Sequence, residues 1–346
     1  MDFQITPSAA VWGHQRRETP RRRDQFLAAL LFEADWTAAM RHIESMFRLS
    51  VDDCRAILRI SKLAKARWAV GDRPALLPGR MMTLVFEKPS LRTRVSFESA
   101  VAHLGGRSVF LTAAEAGLNG RESVADVARV LGSYSDWIVL RTFSQQLVED
   151  FARYAGCAVI NGLSDSSHPC QALSDVFTMS EAFGAIEGRS LAYIGDGNNV
   201  ARSLAVTCGL LGLGFTIASP LGYELSDEFV ARLRSAFPQG KFQFTSDPRS
   251  AVANADVVYT DVWASMGQEA EQELRKRAFA PYQVNADLMK RAPSHARFMH
   301  CLPAKRGLEV TDEVLDGPQS IAIPQAENRM HVAKGILLWQ QGIEDV

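Results

Sequence analysis

Residues 86 to 100 read FEKPSLRTRVSFESA, placing a serine, a threonine and two arginines where an apolar run gives way to a helical pattern. A strand running into a helix start leaves backbone N–H groups unpaired at the positive end of the helix dipole, and both favour an anion. Guanidinium groups add bidentate recognition of phosphate oxygens. Ser90, Arg92, Thr93 and Arg94 therefore read as a phosphate cradle, weighed against an ordinary capped and solvated helix start. The Gly-x4-Gly-Lys-Ser/Thr spacing of a nucleotide P-loop is missing, so a small phosphorylated metabolite is the better expectation.

Four further stretches carry candidate chemistry. In HPCQALSD, His168 to Asp175, a proline at the first turn would fix His168 and Gln171 at one helix start as donors to a carbonyl oxygen. A histidine before proline is otherwise a common loop residue. YIGDGNNVARSL places Gly195 and Gly197 after a strand, which suggests a dinucleotide fingerprint. Val200 occupies the position of the third glycine, however, and no acidic residue ends the next strand, GFTIASP, so a nicotinamide cofactor is not expected. TDVWASMGQE sets Asp261 at a strand end before a Ser-Met-Gly turn, where a carboxylate suits a substrate ammonium. HCLPAK ends a strand at Cys301, a position where a buried inert cysteine is the commoner occupant.

The elements around these stretches alternate. MTLVF, RSVFL, WIVLR and AVING read as strands separated by helical patterns. Ser50 to Asp53 is a capping pattern for the helix before them, and Val124, Val127, Ala128 and Leu131 form one helical face. SLAYIGDGNN, GFTIAS, FQFTS, ADVVYTDVW, FMHCL and SIAIP read as strands of a second sheet. The fold class expected is α/β, with two lobes that are each a parallel sheet flanked by helices. The active site belongs in the cleft between them, at the C-terminal strand ends. A helix near Ser174 to Phe183 joins the lobes, and a last helix from about Gln325 to Gln341 packs back on the first.

A length of 346 residues suits two domains. With 47% hydrophobic residues, 22% charged residues and a formal net charge of −1, nothing directs the chain to nucleic acid. No apolar run reaches membrane-spanning length. Five scattered cysteines without a CxxC pair argue against a disulfide framework, and neither metal nor cofactor is expected. The first 25 residues carry five arginines, but Asp2, Glu18 and Asp24 weaken a transit-peptide reading.

Ser-x-Arg-Thr-Arg, His-Pro-x-Gln, Asp-x-x-x-Ser-Met-Gly and His-Cys-Leu-Pro, in this order, closely resemble the aspartate/ornithine transcarbamylase family in its ornithine branch. The likeness runs from about Phe47 to the C-terminal helix. It implies carbamoyl transfer from carbamoyl phosphate to the side-chain amine of L-ornithine, within arginine metabolism in either direction, by a cytoplasmic homotrimer. It also implies a carbamoyl phosphate-binding domain over 43–175, completed by helix 325–346, and an ornithine-binding domain over 176–324. Residues 1–42 remain as an extension, expected to be disordered or loosely docked.

By the same resemblance Ser90, Leu91, Arg92 and Thr93 hold the phosphate. Arg141, His168, Gln171 and Arg329 surround the carbamoyl group, while Asn199, Asp261, Ser265, Met266, Cys301 and Leu302 take ornithine, with Arg141, His168 and Cys301 as the catalytic set. Leu91 stands where the family usually has threonine, a change tolerable at a position acting through its N–H. Putrescine and N-acetylornithine are the nearer rival acceptors, aspartate the more distant, and a non-catalytic binding protein the rival of another class.

Overall fold

In the computed structural model the described residues are 40–264 and 271–346. Residues 1–39, which hold most of the expected extension, lie outside them, as do Ser265 and Met266. Twelve described α-helices and nine strands alternate. The first lobe follows α1 (Val51–Ala69) with β1 (Met81–Phe86), α2 (Leu91–His103), β2 (Arg107–Thr112), α3 (Val124–Tyr134), β3 (Trp137–Arg141), α4 (Gln145–Tyr154) and β4 (Ala158–Leu163). Its sheet is parallel, in the order β2-β1-β3-β4.

The second lobe contains β5 (Ser190–Ile194), α6 (Asn199–Leu211), β6 (Gly214–Ala218), α7 (Asp227–Ala236), β7 (Phe242–Thr245), α8 (Pro248–Val252) and β8 (Val257–Thr260). It continues through α9 (Gln272–Phe279), α10 (Ala286–Met289), β9 (Arg297–His300) and α11 (Asp312–Leu315). This sheet is also parallel, in the order β7-β6-β5-β8-β9. The expected two-lobed α/β class therefore holds.

Two helices tie the lobes together. The joining helix α5 (Pro169–Phe183) is buried without a break from Pro169 to Met179, its polar Gln171, Ser174, Asp175 and Thr178 included, each of them hydrogen-bonded. The closing helix α12 (Ala322–Gln340) packs on α1, α2 and α5. One apolar core, including Ile57, Phe97, Leu173, Tyr193 and Ile336, runs continuously through both lobes.

Local signals explain most boundaries. Ser50 and Asp53 form a reciprocal capping box at α1, with Ser50 N–H donating to Asp53 at 2.8 Å. SIAIP departs from the strand expected for it: Ser320 makes only an isolated bridge with Phe298, and α12 begins at Ala322. Pro324 falls in the first helical turn, where an N–H has no intrahelical acceptor to lose. No described helix is long and apolar enough to cross a membrane.

His331 on α12 is 1% exposed, and neither ring nitrogen has a hydrogen-bond partner among the described residues. Burial first, then Lys334, Lys65 and His103, push its pKa down to about 3. The unfolded chain takes up this proton below its ordinary value of 6.5, and the folded chain does not. Stability linked to this group is intact above about pH 6.5 and lost as pH falls toward 3. Thermal melts of His331→Leu from pH 7 to 4 should fall less steeply with acid than the parent's; identical slopes would remove His331 as a source of acid lability.

Candidate active site

A cleft of about 830 Å³ opens between the lobes, lined by residues just beyond the ends of β1, β3, β4, β5, β8 and β9. That volume suits small molecules. On the first-lobe side Ser90 caps α2, its hydroxyl accepting from Thr93 N–H at 3.2 Å. The N–H groups of Leu91 and Arg92 meet no acceptor among the described residues and remain for a ligand. The Leu91 side chain is 73% exposed, as a position acting through its backbone allows. Arg94 turns away, pairing with Glu98 at 3.2 Å and covering Phe110.

Three guanidinium groups line this part of the cleft: Arg92, Arg141 from the end of β3, and Arg329 from α12. Arg141 donates to Thr93 Oγ1 at 3.4 Å and Arg329 to Gln171 Oε1, yet none of the three pairs with a carboxylate among the described residues. Burial, then Arg329 and Arg92, push the Arg141 pKa down to about 10. Arg92 is also lowered, by burial foremost. Like charges facing one another without counter-ions form a site ready for a multiply charged anion.

His168 sits at the N-cap of α5 with Pro169 at the first helical position. Burial, then Arg329 and Arg141, hold its pKa well below the ordinary histidine value, so the imidazole is neutral at pH 7. Its Nδ1 has no partner among the described residues. Gln171 lies on the first turn of the same helix, spent between Arg329 and Asp175, with its Nε2 donating to Asp175 at 2.7 Å.

Across the cleft Asp261 follows β8. Its Oδ1 accepts from the Cys301 thiol at 3.0 Å and from Val262 N–H at 2.8 Å, and its Oδ2 accepts from Asn198 at 3.0 Å. Burial and then Asp261 hold the Cys301 pKa well above the ordinary thiol value. The sulfur is therefore a neutral thiol, unsuited to nucleophilic attack. Leu302 is the one described non-glycine residue with positive φ, 55°, and its N–H donates to His300 Nδ1 at 2.9 Å. Asp261, His300 and Cys301 offer ligand atoms within 4.8 Å of one another, but hydrogen bonds between Cys301 and Asp261, and between His300 and both Glu309 and Leu302, already use these groups.

The glycines of YIGDGNN have local reasons. Gly195 has φ +151°, and a Cβ on Gly197 would lie 2.5 Å from the backbone of Glu224 and Leu225. Asn198 Oδ1 caps α6 by accepting from Val200 and Ala201 N–H, which removes those donors from any pyrophosphate. Asn199 lines the cleft and reaches the other lobe, donating to the Ser164 carbonyl at 2.6 Å.

The structure thus brings together every expected site residue that it describes. It adds Lys88, 7% exposed and paired with Asp165 at 2.5 Å, whose signal was its place two residues before Ser90. It adds Arg275, bound to Asp196 at 2.7 Å and to the Trp263 carbonyl at 3.0 Å, for which no local pattern exists. Asn198 and Asn199 both offer amides at this helix start, as their place after the strand leads one to expect, Asn198 through the cap and its hydrogen bond to Asp261.

The carbamoyl-P binding domain of the aspartate/ornithine carbamoyltransferase family matches residues 41–181, and its Asp/Orn binding domain matches residues 187–340. The anabolic ornithine carbamoyltransferase of Pyrococcus furiosus is 48% identical over 295 residues, covering 85% of this chain and 94% of that protein. The ornithine carbamoyltransferase of Pyrococcus abyssi is 50% identical over 283 residues, 81% of this chain and 89% of its own. The solved structure of the Pyrococcus furiosus enzyme superimposes with a TM-score of 0.84 at 47% identity, covering 87% of this chain and 96% of that one. With both domains matched in order across the same cleft, the chain belongs to the aspartate/ornithine carbamoyltransferase family.

Proposed function

We infer that the chain transfers the carbamoyl group of carbamoyl phosphate to the side-chain amine of L-ornithine, giving L-citrulline and phosphate. The observation that carries this reading is one cleft with three guanidinium groups on one side that have no carboxylate partner among the described residues, and a carboxylate–thiol pair on the other. An anionic donor and a cationic acceptor can thus be held face to face.

In this reading Ser90, Thr93, Arg92 and the N–H groups of Leu91 and Arg92 hold the phosphate. Arg141, the neutral His168, Gln171 and Arg329 surround the carbamoyl group. Attack on its carbon puts negative charge on the carbonyl oxygen while phosphate departs, and fixed donors stabilise that charge without reorganising. Asp261 takes the α-ammonium of ornithine, and Asn199, Ser265 and Met266 complete the amino-acid end. Cys301 and the Leu302 backbone lie beside the δ-amine, which attacks once deprotonated. No covalent enzyme intermediate is needed, because alignment of the two substrates permits direct displacement through a tetrahedral intermediate.

The domains divide the work accordingly, 43–175 with the closing helix binding carbamoyl phosphate and 176–324 binding ornithine. The reading extends to a cytoplasmic enzyme and to a homotrimer. Supporting the latter, Leu91, Val95 and Val109 expose apolar surface on α2 and the edge strand β2. Light scattering should give the mass of three chains, and a monomer would end that part of the reading.

Purified protein should form citrulline from carbamoyl phosphate and L-ornithine, and show little turnover with aspartate, putrescine or N-acetylornithine. Preference for another acceptor would displace ornithine, and absence of turnover with all four would favour a binding protein. Loss of one charged hydrogen-bonding group costs about 1.5–3 kcal/mol. Arg92→Ala should therefore raise the carbamoyl phosphate KM by roughly 10- to 100-fold. Asp261→Asn should mainly impair ornithine use; parental ornithine kinetics in that variant would take Asp261 out of the site.

A further inference from the structure

Asp175 is fully buried on α5, one helical turn beyond Gln171, and lies behind the cleft rather than in its lining. Its Oδ1 accepts from Gln171 Nε2 and from Gln325 Nε2, both at 2.7 Å, and its Oδ2 accepts from the Tyr259 hydroxyl at 3.1 Å. Gln325 then accepts from His300 N–H at 2.9 Å, at the strand end that leads into Cys301. One carboxylate therefore joins α5 and α12 to β8 and β9. Such a group in the interior is costly unless it is well hydrogen-bonded, and three donors from three elements reach its two oxygens here.

The consequence for the site follows from the chemistry of a primary amide. Gln171 can present either oxygen or nitrogen to Arg329, and only oxygen accepts from a guanidinium. With Asp175 holding the nitrogen, the oxygen must face Arg329, as it does. We propose that Asp175 is a positioning residue for carbamoyl transfer: it fixes the amide orientation of Gln171, which in turn aims Arg329 into the cleft. The inference rests on the assignment of Gln171 and Arg329 to the carbamoyl group. Burial raises the Asp175 pKa to about 7, while the hydrogen bonds and Arg329 oppose that rise. Arg329 is the cation that faces it, and Tyr259, Cys208 and Cys301 are its other titratable neighbours.

The test is a double-mutant cycle on carbamoyl phosphate KM. Asp175→Ala should raise it about tenfold or more, with ornithine KM changing less. In a Gln171→Ala background the same substitution should add almost nothing, because Asp175 acts through the missing amide. Asp175→Asn, which keeps a carbonyl acceptor for Gln171, should restore KM to within a few-fold of the parent. If Asp175→Ala does not fold, Asp175→Ser serves in its place, since its hydroxyl is too short to reach Gln171. Additive effects, or parental KM in Asp175→Ala, overturn the inference. A silent Gln171→Ala overturns the assignment beneath it, so the two failures are distinguishable.

Discussion

The structure depends on keeping guanidinium charge together with no counter-ion among the described residues. Arg92, Arg141 and Arg329 come from a helix start, a strand end and the closing helix, elements far apart in sequence. Left flexible, such side chains would separate or find carboxylates. Here Arg141 is held by Thr93 and Arg329 by Gln171, neutral partners that fix direction without cancelling charge. Burial first, and then their repulsion, lower the Arg141 pKa, yet to about 10, so the group stays charged at pH 7. The fold thus maintains a repulsive arrangement that a bound anion would relieve, consistent with function drawing on locally unfavourable contacts.

That requirement accounts for the treatment of α5. A helix buried over eleven consecutive residues, Pro169 to Met179, has little freedom to tilt. It starts at His168 in the cleft and passes Gln171 before reaching Asp175, where the hydrogen bonds to α12 and β8 converge. Both half-sites are referenced to this one rigid element, the anion side through Gln171 and the Cys301 side through Gln325 and His300. Rigid elements position chemistry better than loops do.

Much of this was legible in sequence where one signal had one meaning. Strand-helix alternation revealed two parallel sheets, because buried parallel strands read as continuous apolar runs. Ser90 and Pro169 marked helix starts since capping and proline chemistry are local. What escaped was non-local or ambiguous. SIAIP has the composition of a strand, yet the helix begins inside it at Ala322, with Ile323 71% exposed. Lys88 and Arg275 matter through partners 77 and 79 residues away. Asp175 sat inside a recognised motif, but its role arises from Gln325, 150 residues further along.

The Gly-Asp-Gly-Asn-Asn turn carries the argument about specificity furthest. In a dinucleotide site the same place would leave helix N–H groups open and clear the backbone for a pyrophosphate. Here Asn198 closes two of those N–H groups with its oxygen and turns its amide nitrogen to Asp261. Asp261 is thereby held between an amide and a thiol, neither of which neutralises it, just as the guanidinium groups across the cleft are held by neutral partners. Beside the internally paired Lys88–Asp165 and Arg275–Asp196, the cleft therefore sets guanidinium groups on one side and a carboxylate on the other, without ion-pair partners among the described residues. A ligand pair with an anion on one member and an ammonium on the other satisfies both at once, whereas a dinucleotide would set phosphate against the carboxylate.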